Sequence, residues 1–178
     1  MNKAYKNSNH FLEGAFKPLS EEISIPNLKV KGKIPSNLKG SYMRNGPNPY
    51  FKSEEYFFPF DGDGMIHAIY FDNGKVSYKN KFVMTKALET EIKAGKELYG
   101  SCFNPKQIDE KLIKAGAPKT KNGAFINVIS HANFLLAALE GQGKFPYKLN
   151  YELDTLGEFD FKGKTEGMGA HTRIDPRT

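Results

Sequence analysis

Four histidines, His10, His67, His131 and His171, are the side chains of this chain best suited to hold a metal or move a proton near neutral pH. No two of them stand at HxH or HExxH spacing. Local pattern therefore supplies no ready-made metal site, and any ligand set has to be assembled by the fold. His10 lies in a polar arm and reads as inert. His67 falls inside a strand and reads as a core or half-buried histidine bonded to backbone. His131 sits at a strand end or turn and reads the same way. His171 is set apart by its surroundings: Gly167-Met168-Gly169-Ala170 before it, and Thr172-Arg173-Ile174-Asp175-Pro176-Arg177-Thr178 after it. Glu140 closes the apolar run LLAALE, and on the residues alone it is a solvated strand end.

The remaining candidates are weaker. Asp61 and Asp63 in FDGDGM suggest calcium, but the third acid and distal glutamate of an EF-hand loop are missing. Carboxylates bonding backbone N–H groups in a tight turn fit better. Arg44 could clamp an anion, although bonding loop carbonyls is the commoner role. Cys102, the single cysteine, has no activating neighbour in sequence and reads as a small buried hydrophobe. Neither a phosphate-cradling glycine loop nor a Ser-His-Asp arrangement is visible.

The elements that must position these residues are mostly strands. RNGPNP at 44–49 cannot be helical, because its prolines lack an N–H and push the preceding residues toward extended geometry. Residues 65–71 alternate with Met65, His67 and Ile69 on one face and Ile66, Ala68 and Tyr70 on the other, so both faces should be at least half covered. Asp72-Asn73-Gly74 then predicts a hairpin, returning over 76–85. A helix is predicted over 86–98 with Thr85 as its cap, and a second over 107–114. Strands resume at 124–130 and 133–140, turning near His131-Ala132, and a further strand is predicted over 148–153. A turn at 154–158 and a glycine-rich loop lead into 168–175. The lead-in, 11–40, is interrupted by prolines and predicts only short extended pieces, chiefly 28–30.

Composition narrows the class. The chain has 178 residues, enough for one domain with a core. Abundant glycine, 14 Phe and 9 Tyr favour a mainly β architecture. The net charge of +6 is spread along the chain, and Lys29, Lys31 and Lys33 alternate like the wet face of a strand. No nucleic-acid partner is implied. A lone cysteine excludes an internal disulfide. The N-terminus lacks a signal-peptide core, and no run approaches the roughly 18 apolar residues of a spanning helix. Cytoplasmic is the default expectation.

RNGPNP followed by FDGDGMIHAIYFDNGKVSYKNKFVMT resembles the N-terminal signature of the carotenoid cleavage oxygenases, a family with carotenoid-, apocarotenoid- and stilbene-cleaving members and retinoid-isomerising relatives. The lead-in resembles the same family, where it would pack on the outside of the core. AHTRIDPRT resembles the family's first iron-ligand motif, with Thr172 where proline is common. The resemblance implies the N-terminal part, roughly two to three blades, of a seven-bladed β-propeller with short helical insertions. It implies a flexible arm over 1–10 and a partial propeller over 11–178, incomplete at its C-terminus.

By the same resemblance, His171 would be one of four histidines holding Fe(II). Glu140 would hydrogen-bond a ligand histidine, which need not be His171. Substrates would be O2 and an apolar polyene or stilbene-like molecule, with peripheral membrane contact open to the full-length protein. The fragment alone would bind no iron tightly and be inactive. The competing expectation is a non-enzymatic β-propeller or β-sandwich binding module.

Overall fold

In the computed structural model, the described residues are 9–52, 56, 59–140, 145–175 and 177. Ten strands are assigned among them: β1 (Ser24–Ile25), β2 (Gly40–Asn48), β3 (Asp63–Asp72), β4 (Lys75–Phe82), β5 (Gly100–Ser101), β6 (Asn104–Pro105), β7 (Asn127–His131), β8 (Phe134–Ala138), β9 (Tyr147–Leu149) and β10 (Thr155–Glu158). They form two four-stranded antiparallel sheets, ordered β1-β4-β3-β2 and β10-β9-β8-β7, and a small β5-β6 ribbon. The helices are α1 (Lys86–Ala94) and α2 (Glu110–Lys114). The mainly β, antiparallel class agrees with the sequence. No helix among the described residues is long and apolar enough to cross a membrane.

The β3–β4 hairpin forms where Asn73 and Gly74 take φ of 49° and 77°, which matches the right-handed twist of the flanking strands. Both faces of β3 are covered, as its alternation predicts. Ile66 and Ala68 pack with Val83 and Ala124 against Leu135, Ala137, Tyr147 and Leu149 of the second sheet and Leu153 of its β9–β10 turn. Met65 faces the other way, onto Phe82 and Leu88 of α1. Each such aliphatic side chain contributes about 1.5–3 kcal/mol on burial. Fixed polar contacts add to the joint between sheets. Asn45 of RNGPNP donates to Ala124 O at 2.6 Å and Asn127 O at 3.0 Å, and Gly64 N donates to Gly123 O at 2.7 Å. A Cβ on Gly64 would lie 2.7 Å from the carbonyl oxygens of Gly123 and Ala124, so only glycine lets the loop approach.

The lead-in is more firmly held than its prolines imply. Its strand is Ser24–Ile25 rather than 28–30, paired with Tyr78 and Lys79 of β4. Asn48 accepts from Leu19 N at 2.8 Å and donates to Leu19 O at 2.9 Å. Asn80, fully buried, accepts from Ile23 N at 2.8 Å and donates to Glu21 O at 3.1 Å. Glu22 accepts from Phe82 N at 2.8 Å. Asn9 and His10 open a short 3-10 turn, with Asn9 donating to Tyr56 O. Residues 1–8 of the expected arm lie outside the described residues.

Several boundaries differ from expectation for local reasons. α1 starts where Thr85 Oγ1 accepts from Leu88 N at 3.1 Å, but stops at Ala94 because Gly95 takes a left-handed φ of 67° and closes the helix. α2 starts at Glu110, since the Asp109 side chain caps it. β7 begins at Asn127 because Ala124 sits at φ 49°. The β7–β8 turn falls on Ala132-Asn133, with φ of 44° and 68°, one residue beyond the predicted position. The predicted strand 148–153 ends at Leu149. Asn150 ties itself to Asp154 through backbone and side chain, and Leu153 turns back at φ 66°, so the predicted turn 154–158 is mostly strand β10.

Candidate functional site

His171 lies in an irregular segment anchored by its neighbour Ala170, which is fully buried. Thr172 Oγ1 donates to Gly169 O at 2.6 Å, turning the chain at the histidine. Glu140 stands just past the end of β8, whose Leu135, Leu136, Ala137 and Ala138 are buried and fix the strand's position. The two side chains meet, with His171 Nε2 3.1 Å from Glu140 Oε2, and both stay largely exposed, 72% and 65%.

Glu140 also lines a cleft of about 500 Å³. One wall is Phe60, Phe125 and Leu139, with the Phe60 and Phe125 rings stacked at 5.9 Å. A further part of the wall comes from the segment around β5 and β6, including Tyr99 and Cys102. Its shape and largely apolar, aromatic lining suit a nonpolar molecule with a polar end or a reacting centre near Glu140.

The other histidines do not join this site. His67 is half-buried and its Nδ1 lies 2.7 Å from the Tyr78 hydroxyl, so its partner is a side chain rather than the expected backbone group. Burial, then the nearby Arg44 charge, hold its pKa below the usual histidine value. His131 is exposed at the end of β7, edge-on to Phe134. His10 is exposed. Among the described residues, no three His, Cys, Asp or Glu side chains converge to hold a metal ion. The donor chemistry at His171 and Glu140 fits one ligand and its orienting acid, and not a complete set.

Cys102 is exposed, contrary to the buried reading, because the β5–β6 turn carries it to the cleft rim. It is not activated: desolvation of the sulfur, and then Asp61, push the thiol pKa up. The aspartates behave as expected in bonding backbone N–H groups, Asp61 to Cys102 N at 2.7 Å and Asp63 to Tyr50 N at 3.1 Å. Both contacts reach distant loops and do not close a local turn. Arg44 is exposed on β2.

Sequence reasoning missed an ionic cluster beneath the cleft. Lys121 Nζ lies 2.8 Å from both Asp63 Oδ1 and Glu91 Oε2, with side-chain exposures of 15%, 4% and 1% for Lys121, Asp63 and Glu91. Glu91 Oε1 accepts from Leu98 N at 2.9 Å and, more weakly, from Tyr99 N at 3.4 Å. Burial alone would lower the lysine pKa. The two carboxylates override it and push Lys121 up to about 12. Asp63 is raised, burial outweighing the lysine. The one signal available was Glu91 itself, an acid on the same helical stripe as Ala87 and Leu88.

The profile of the retinal pigment epithelial membrane protein family matches residues 16–178. This chain belongs to that family, the carotenoid cleavage oxygenases. A carotenoid cleavage oxygenase of Mycobacterium tuberculosis is 35% identical over 99% of the chain and 33% of its own length. The crystal structure of Pseudomonas brassicacearum lignostilbene dioxygenase superposes with a TM-score of 0.80 at 29% identity, covering 96% of this chain and 35% of that one. Cobalt-substituted Synechocystis apocarotenoid oxygenase superposes at 0.72 and 35% identity, covering 89% of this chain and 34% of that one. The chain thus spans about a third of the length of the family members it matches. Membership in a family of oxygenases displaces the non-enzymatic module as a reading of the chain.

Proposed function

We propose that this chain is the part of a non-haem Fe(II) dioxygenase that supplies His171 as one iron ligand and Glu140 as the acid orienting a ligand imidazole. The two sheets are then neighbouring blades of a propeller. The reaction is oxidative cleavage of a C=C bond by O2 into two carbonyl products, on a carotenoid, apocarotenoid or stilbene-like substrate. The observation that carries this reading is the approach of His171 to Glu140 at 3.1 Å beside an aromatic cleft, from positions thirty-one residues apart.

Ferrous iron held by imidazoles with positions left open supplies the oxygen-activating chemistry. Within this chain, the Glu140 carboxylate would accept from Nε2 of the His171 ring as the ligand set assembles, and so orient the imidazole. Phe60, Phe125 and Leu139 exclude water and seat the apolar part of the substrate near that pair.

A single imidazole does not hold Fe(II) at useful affinity, because the site depends on several ligands organised together. The 178-residue chain is therefore expected to bind iron substoichiometrically and to show no turnover; one tightly bound Fe(II) per chain would refute that. In the complete enzyme, H171A is expected to abolish iron retention, measured by metal analysis of the purified protein. Full iron occupancy in that variant would remove the ligand assignment.

A further inference from the structure

The cleft wall formed by residues 98–106 is built on a shallow ribbon. Its small ribbon is two residues deep on each strand, paired Gly100 with Pro105 and Ser101 with Asn104. Tyr99 anchors it from within, buried with Ala87 and Ile108, and its hydroxyl donates to Pro118 O at 3.0 Å. All of these anchors belong to the insertion between the sheets. What connects the wall to the first sheet is charge. Glu91 takes the Leu98 and Tyr99 N–H groups on one oxygen and Lys121 on the other, and Lys121 reaches Asp63 at the start of β3. Asp61 extends the same connection by accepting from Cys102 N.

Two buried carboxylates share one ammonium here, and among the described residues Lys121 is the cation that compensates both. Remove it, and Asp63 and Glu91 face each other unpaired in a low-dielectric interior, where like charges repel strongly. The insertion can relieve that repulsion by moving away, whereas β3 cannot, because it is central in its sheet. We propose that Lys121 is a positioning residue for the cleft, its ammonium holding the 98–106 wall at its present separation from Phe60, Phe125 and Glu140. The assignment is independent of where iron binds.

The test is site-resolved amide hydrogen exchange on the protein and its Lys121→Met variant. Exchange at Leu98, Tyr99 and Cys102 should accelerate at least tenfold more than at Leu136 and Ala137, which lie in the second sheet away from the cluster. Lys121→Arg, which keeps the charge, should return most of that protection. Equal acceleration at both sets of amides, or none at the wall, would overturn the proposal. Should Lys121→Met fail to fold, Lys121→Gln removes the charge but keeps an N–H donor between the two carboxylates, and the same excess acceleration is expected at the wall. A wall that then exchanges as in the unmodified protein would equally reject the assignment.

Discussion

Two acid–base contacts of similar length border the same cleft, and they differ in almost everything else. Lys121 meets Asp63 and Glu91 at 2.8 Å with the carboxylates almost wholly buried. His171 meets Glu140 at 3.1 Å with both partners mostly in solvent. Distance therefore says little about strength here. The buried cluster is desolvated, so losing one partner leaves uncompensated charge. The exposed pair trades protein contacts for water and is screened by salt. The first arrangement suits fixed architecture. The second leaves both side chains accessible from solvent.

The contrast can be broken most directly by comparing urea unfolding of Lys121→Met and Glu140→Gln. The lysine change should cost about 3–5 kcal/mol. A loss below about 1 kcal/mol would show that the cluster is worth no more than a surface pair.

A pH titration sharpens the same point. Lys121 is raised from 10.5 to about 12 on folding, so its contribution is complete below about pH 10.5 and is lost as pH rises toward 12. Tyr56 and Tyr70, raised from 10.0 to about 12 chiefly by burial, act in the same direction. Stability should fall between pH 10 and 12 in circular dichroism. The Lys121→Met variant should retain only the tyrosine part of that fall.

Asn45→Ala comes next in size. Removing the two bonds from β2 to Ala124 O and Asn127 O should cost about 1–3 kcal/mol in thermal or urea unfolding, without touching either charged site. The smallest effect is expected for Glu140→Gln, within about 1 kcal/mol in stability and shrinking further with added salt. Its consequence should be visible instead in iron retention by the complete enzyme.

How far the sequence could be read follows from the range of each interaction. The Asn73-Gly74 hairpin and the Thr85 cap were legible because the residues that cause them are adjacent in the chain. The turn at 150–154 was misplaced because it depends on Asn150 bonding Asp154, two polar residues with no glycine or proline to mark the reversal. His171 was singled out by its motif, but spacing left open which imidazole Glu140 would meet. The Lys121 cluster was illegible for a different reason. Its members come from a strand, a helix and a turn, with Lys121 and Glu91 thirty residues apart, and nothing about KTKNG separates Lys121 from any solvated lysine. The docking of the lead-in was equally hidden, since it rests on Asn48 and Asn80, whose partners lie 29 and 57 residues away.

Those two asparagines carry a consequence for how this family member tolerates change. Toward the lead-in each presents one donor and one acceptor, as an amide linkage does, and meets there main-chain atoms of residues 19–23. At Leu19 and Ile23 the grip is thus indifferent to the side chain, and both remain open to solvent. Nearly any residue can occupy those two places at little cost, with proline the exception, because it lacks the hydrogen that the asparagine oxygen needs.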